Sequence, residues 1–126
     1  MADDEKLKQD VAEFLKNRFK NPKIENVQEH INKLQFAQQQ LSVSYEFKEG
    51  DILVWKKGLK NRARPAENEP IVVLEILETP TFDTEKGAGS AYFKEPLDLI
   101  AGLVDSDGDF IIFYFDKRRF EPYKES

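Results

Sequence analysis

Nine consecutive residues near the middle of the chain concentrate positive charge. Lys56-Lys57-Gly58-Leu59-Lys60-Asn61-Arg62-Ala63-Arg64 carries five cations and no acid. Side chains of this kind can neutralise phosphates or the acidic surface of a partner, and Trp55 before them, or Tyr92 further on, supplies a ring on which a base could stack. A second group, Lys117-Arg118-Arg119, follows Asp116 near the end of the chain. Together these residues are the candidate site for a partner or an anion. The plainer alternative is a solvated loop whose cations pair with Glu67, Glu69 or Asp116, and a charged turn of ordinary composition. Spacing along the chain does not tell whether the two segments meet in space.

Other chemistry is thinly represented. There is no cysteine, which excludes disulfides, thiolate metal sites and a thiol nucleophile. His30 is the only histidine, so no two-histidine metal motif exists, and no serine or cysteine partner marks it for acid–base work. Neither common glycine-rich phosphate loop is present. Asp105, Asp107 and Asp109 are spaced like the start of a calcium loop. Gly108 stands at the fourth place rather than the sixth, however, and Asp116 rather than a glutamate at the twelfth, so an EF-hand is rejected. No spacing singles out a catalytic pair of carboxylates. The expectation is a protein that is not an enzyme, with no cofactor and no metal.

The chain has 126 residues, 40% of them hydrophobic and 34% charged, with a formal net charge of −5. That suits a soluble domain able to build its own core. Its 15 aromatics argue against disorder. The net negative charge argues against a general nucleic-acid coat but not against a local basic patch. The acidic start Met1-Ala2-Asp3-Asp4-Glu5 is the reverse of a signal peptide's basic region, and no apolar run is long enough to span a bilayer, so a cytoplasmic location is expected. Residues 1–45 balance seven basic against seven acidic side chains. Residues 46–126 carry twelve against seventeen, so the whole net charge lies there.

The same division separates two patterns of hydrophobicity, a helical region over 1–42 and a β region over 43–126. Leu7, Val11, Phe14, Leu15 and Phe19 form one stripe and predict a helix from about Asp4 to Phe19, capped by Asp3 or Asp4. Asn21-Pro22 breaks it. A second helix is predicted from Ile24 or Val27 to Leu41, with Asn21 or Asn26 as its cap. Its residues Val27, Ile31, Leu34, Gln38 and Leu41 follow the spacing of a coiled-coil seam over about two heptads. The stripes either pack on the following sheet or, through Val27, Ile31, Leu34 and Leu41, join two copies of the chain.

Val43, Tyr45 and Phe47 alternate with polar residues as a short strand or an extended entry. Strands are then expected at Ile52 to Lys56, Ile71 to Glu78, Leu97 to Val104 and Phe110 to Phe115, with a short edge segment in the tail Asp116 to Tyr123. The loops 57–70 and 79–96 are long, and the second holds the small-residue stretch Gly87-Ala-Gly89-Ser90 before Tyr92 and Phe93, suggesting a functional loop. Asp105 to Asp109 predicts a tight hairpin with Gly108 supplying the positive φ. In the Phe110 strand, Ile111, Phe113 and Phe115 face one way and Phe110, Ile112 and Tyr114 the other. Both faces are apolar, so both need cover: a curled sheet covers one, and the helices or a second subunit the other.

From Phe47 onward the order of features resembles an SH3-like small β-barrel, over about residues 46–123. Gly50-Asp51 turns into the short strand Ile52-Leu53-Val54-Trp55. A long irregular loop, three strands with a tight hairpin between the last two, a short turn and a final edge strand follow. The insertion at Thr79 to Pro96 departs from that pattern. The first loop is basic rather than acidic and aromatic, so the resemblance does not imply proline-peptide binding. The expected fold is α+β, a two-helix N-terminal hairpin on a small twisted antiparallel sheet or SH3-like barrel. The expected role is an interaction or adaptor module, with a nucleic-acid-associated regulator as the alternative.

Overall fold

The structure, a computed structural model, describes residues 2–18, 20–82 and 95–124. Its elements in chain order are α1 (Ala2–Arg18), α2 (Val27–Ser42), β1 (Ile52–Trp55), β2 (Ile71–Phe82), β3 (Pro96–Val104), β4 (Phe110–Phe115), a 3-10 turn (Lys117–Arg119) and β5 (Phe120–Pro122). The fold is α+β: two helices and a five-stranded antiparallel sheet in the order β4-β3-β2-β1-β5. Among the described residues no pairing between β4 and β5 closes the sheet into a barrel. No described helix is long and apolar enough to cross a membrane.

α1 begins at Ala2, ahead of the expected start, so Asp3 and Asp4 lie in its first turn rather than at its cap. Phe19 lies outside the described residues. α2 starts at Val27 because the Asn26 side chain accepts the Glu29 N–H at 3.1 Å, satisfying one of the orphan donors of the first turn. Residues 43–47 are not a strand and leave the helix as irregular chain.

β2 runs on to Phe82, beyond the expected end at Glu78. Pro80 is accommodated because the register with β3 shifts between Ile76 and Thr81, where no ladder hydrogen bond is required of it. β3 and β4 meet in the expected hairpin. Gly108 has φ +87°, and the Asp105 carboxylate accepts the N–H groups of Asp107 at 3.0 Å and Asp109 at 2.8 Å. The three aspartates are thus spaced by a turn whose own hydrogen bonds use the first of them.

The core lies on one face of the sheet. Leu53, Trp55, Ile71, Val73, Leu99, Ala101, Leu103, Phe115 and Phe120 are buried there. The Trp55 ring stacks on Phe120 with centroids 4.2 Å apart, and Phe115 meets both edge-on. β5 is only three residues long, and this aromatic contact beside its pairing with β1 anchors it. The other face is different. Phe110, Ile112 and Tyr114 of β4 remain exposed, and the helices do not cover them.

Candidate functional site

Both basic segments converge, and they do so around buried carboxylates. Glu95, immediately before β3, is buried and is the hub. Arg62 Nη2 lies 2.6 Å from Glu95 Oε1, and Arg119 Nε lies 3.7 Å from Glu95 Oε2. Asn61 Nδ2 donates to the same Oε2. One carboxylate therefore ties the first basic loop to the 3-10 turn. Asp116 caps that turn by accepting the Arg118 N–H at 3.0 Å, and the Arg118 guanidinium grips its carboxylate at 2.8 to 3.2 Å. Hydrogen bonding to Asp116 holds the Arg118 pKa above its ordinary value. Asp98 accepts the Lys117 N–H at 2.9 Å. Burial nevertheless pushes the Asp98 carboxyl above the usual range, while the Lys117 bond opposes that shift.

The first loop is folded on itself in the same manner. Arg64 spans Glu69 with contacts of 2.9 and 3.3 Å and also donates to the Val104 carbonyl. Lys60 Nζ donates to the Arg62 carbonyl at 2.6 Å and sits 4.6 Å from the centroid of the Phe14 ring on α1. Burial lowers its pKa. The Arg119 guanidinium crosses to the Leu59 carbonyl at 3.1 Å.

Two candidate residues face inward. Trp55 belongs to the core, and its indole N–H donates to the Pro65 carbonyl at 2.6 Å. Lys56 is 0% exposed. Its ammonium donates to the carbonyls of Gln40 and Val43, the latter at 2.6 Å, where α2 ends, and it lies 5.5 Å from the centroid of the Tyr45 ring. A cation suits the negative end of a helix, and here it arrives from the strand side. Burial lowers the Lys56 pKa, with Glu121 and Asp116 opposing. Lys57 and Arg118 are exposed, and Arg62 and Lys117 are partly so. Tyr92 and the small-residue stretch 87–93 lie outside the described residues.

Glu95 and Asp98 were not singled out by type or spacing. A signal for Asp98 existed: it is the one charge within the apolar run Leu97 to Val104. Glu95 had none, because its partners Asn61, Arg62 and Arg119 lie far from it along the chain on both sides. Among the described residues no three His, Asp or Glu side chains are placed to hold a metal ion.

The second candidate surface is α2. None of its residues is buried. Val27 and Leu34 are 65% and 58% exposed, and Ile31 and Phe36 are exposed as well. The stripe runs toward a cleft of about 360 Å³ between the end of α2, residues 43–45 and the 3-10 turn. Leu41, Val43 and Tyr45 line it on the apolar side, and Lys117 and Arg118 on the charged side. Comparison with family models, with curated proteins and with solved structures finds no match.

Proposed function

We propose that the chain is a non-enzymatic protein-interaction module of the cytoplasm whose contact face is the apolar stripe of α2. The observation that carries this reading is the exposure of Val27 and Leu34 on a helix that Asn26 caps at its start and that Lys56 ties to the sheet at its end. Apolar side chains left at the surface of an ordered helix suit a partner more than a fold. The partner that fits is an amphipathic helix laid along Val27, Ile31, Leu34 and Leu41, with an acidic residue at the end that meets Lys117 and Arg118 in the cleft. A helix of another protein, or α2 of a second copy, has the required character.

The SH3-like reading of residues 46–123 belongs with this proposal. It is supported by the strand order, in which β1 to β4 follow one another, the 3-10 turn intervenes, and β5 returns to pair with β1. On that reading the helices are an addition to a small β scaffold, with the long loop 57–70 between β1 and β2.

The nucleic-acid reading draws support from the exposed parts of Arg62, Lys117 and Arg118, in two segments that meet at Glu95. It is weakened by where these charges already point, since each faces a carboxylate within 4.0 Å. Lys56 and Trp55 are committed to the interior.

The test compares three full-length chains as baits in extracts of the source cell: wild type, Leu34→Glu and Lys57→Glu. Wild type and Lys57→Glu should retain the same protein, and Leu34→Glu should lose it with its melting curve unchanged. Retention of the same set by Leu34→Glu would overturn the proposal.

A further inference from the structure

β4 is an edge strand with none of the features that protect an edge. Its sequence Phe110-Ile-Ile-Phe-Tyr-Phe115 holds no charge, proline or glycine. The hydrogen-bond ladder with β3 begins at the Asp105 N–H, which donates to the Asp109 carbonyl at 2.9 Å. Antiparallel pairs alternate from there, so Ile111, Phe113 and Phe115 turn their main-chain groups toward β3. Phe110, Ile112 and Tyr114 turn theirs to the open side. The side chains of these same three residues are 53%, 55% and 47% exposed, and Val104, opposite Phe110 on β3, is 54% exposed. One strip of the molecule thus presents an unpaired backbone and an apolar face together. Among the described residues nothing pairs with it.

We propose that this edge is where two copies of the chain join, β4 against β4, antiparallel about a two-fold axis at Ile112. The strand is self-complementary in that register. Ile112 faces Ile112 of the second copy, and Phe110 faces Tyr114, so the outward main-chain groups meet in pairs and an aromatic pair forms on either side of the axis. The ends of the strand also choose this partner and this direction. At one end stand Asp105, Asp107 and Asp109, and at the other Lys117, Arg118 and Arg119. Antiparallel pairing about Ile112 sets Asp107 of each copy against Lys117 of its mate, acidic end on basic end. A parallel arrangement would set acid on acid and base on base. The exposed face of each sheet then continues into that of its mate, so Phe110, Ile112 and Tyr114 of one copy pack beside those of the other. The α2 stripe stays available, so the dimer would present two contact faces for the partner proposed above. The β4 strand lies apart from the α2 stripe, Lys117 being the residue that both proposals use, and the two are separated by Ile112→Lys and Leu34→Glu.

Sedimentation equilibrium on the full chain decides the matter. Wild type should be a dimer. Ile112→Lys should weaken it by roughly tenfold or more, because the axis places the two lysines opposite each other. Leu34→Glu should remain dimeric. The variants Asp107→Lys and Lys117→Asp should each weaken the dimer several-fold, and an equimolar mixture of the two should restore it, since every Lys then faces an Asp. That recovery shows both variants folded. A monomeric wild type overturns the proposal, including the case in which β4 takes a strand from another protein. A dimer that survives Ile112→Lys and is lost in Leu34→Glu also overturns it, and places the contact on α2.

Discussion

The ammonium of Lys56 donates to the main-chain carbonyl of Val43 at 2.6 Å, and this contact joins the helical part of the chain to the β part. Lys56 follows β1 directly, and its own N–H donates to the Arg119 carbonyl at 2.8 Å. One residue therefore touches the end of α2 and the start of the 3-10 turn's exit into β5. It fixes the direction in which α2 leaves the sheet, and with it the direction of the exposed stripe.

Replacing Lys56 by Met keeps much of the stem volume and removes the ammonium. The carbonyls of Gln40 and Val43 then lose a charge-assisted donor, at a cost of about 1–3 kcal/mol. Urea unfolding measures the loss. Hydrogen exchange should quicken in the last turn of α2 while the β3–β4 hairpin keeps its protection.

Glu95 holds Asn61, Arg62 and Arg119 from a buried position. Glu95→Gln leaves the two guanidinium groups beside a neutral side chain. The expected loss is about 3 kcal/mol, at the low end for a broken buried pair because Arg62 retains contact with solvent. A double-mutant cycle with Arg62→Met should show a coupling energy well above that of an exposed pair.

Gly102 lies beneath the ring of Phe110. A Cβ at this position would clash with the Cζ and Cε1 atoms of that ring. Gly102→Ala must therefore displace Phe110 from the outer face or push the hairpin apart, at a cost of about 1–3 kcal/mol. Combining it with Phe110→Ala should recover most of the loss, and thermal unfolding of the two variants checks this.

Asp98 supplies a pH dependence whose sign is fixed by its surroundings. Burial raises its folded pKa above the ordinary aspartate value of 3.8, so the folded state binds the proton more tightly than the unfolded state does. Its contribution to stability falls as pH rises from about 3.8 through the raised folded value, and returns as pH is lowered. Asp98→Asn can still accept the Lys117 N–H and carries no charge. The stability of the variant relative to wild type should be greatest at neutral pH and shrink as pH falls toward 4. Unfolding free energies measured across that range test it.

Much of the fold was legible in the sequence. The stripe of α2, the Asn26 cap, the Asp105–Asp109 turn and four strand cores follow from local spacing and side-chain type. What was not legible depends on distant pairs. Pro80 argued for a loop, and a register shift against β3 keeps the strand going instead. Lys56 looked like part of a solvated basic loop. Its burial depends on the path of residues 40–45, which no nearby residue reveals. The two basic segments meet through contacts of Arg119 with the main chain of Lys56 and Leu59 and around Glu95, which lies between them.

On the proposed function, α2 carries the partner-binding face while the basic segments serve the fold. A photo-reactive phenylalanine analogue placed in full-length protein in the source cell reports on this directly, at position 34 on the stripe and at position 57 on the basic loop. A discrete protein adduct at position 34 and none at position 57 is the predicted result. Adducts at position 57 without any at position 34, whether to protein or to nucleic acid, would contradict it.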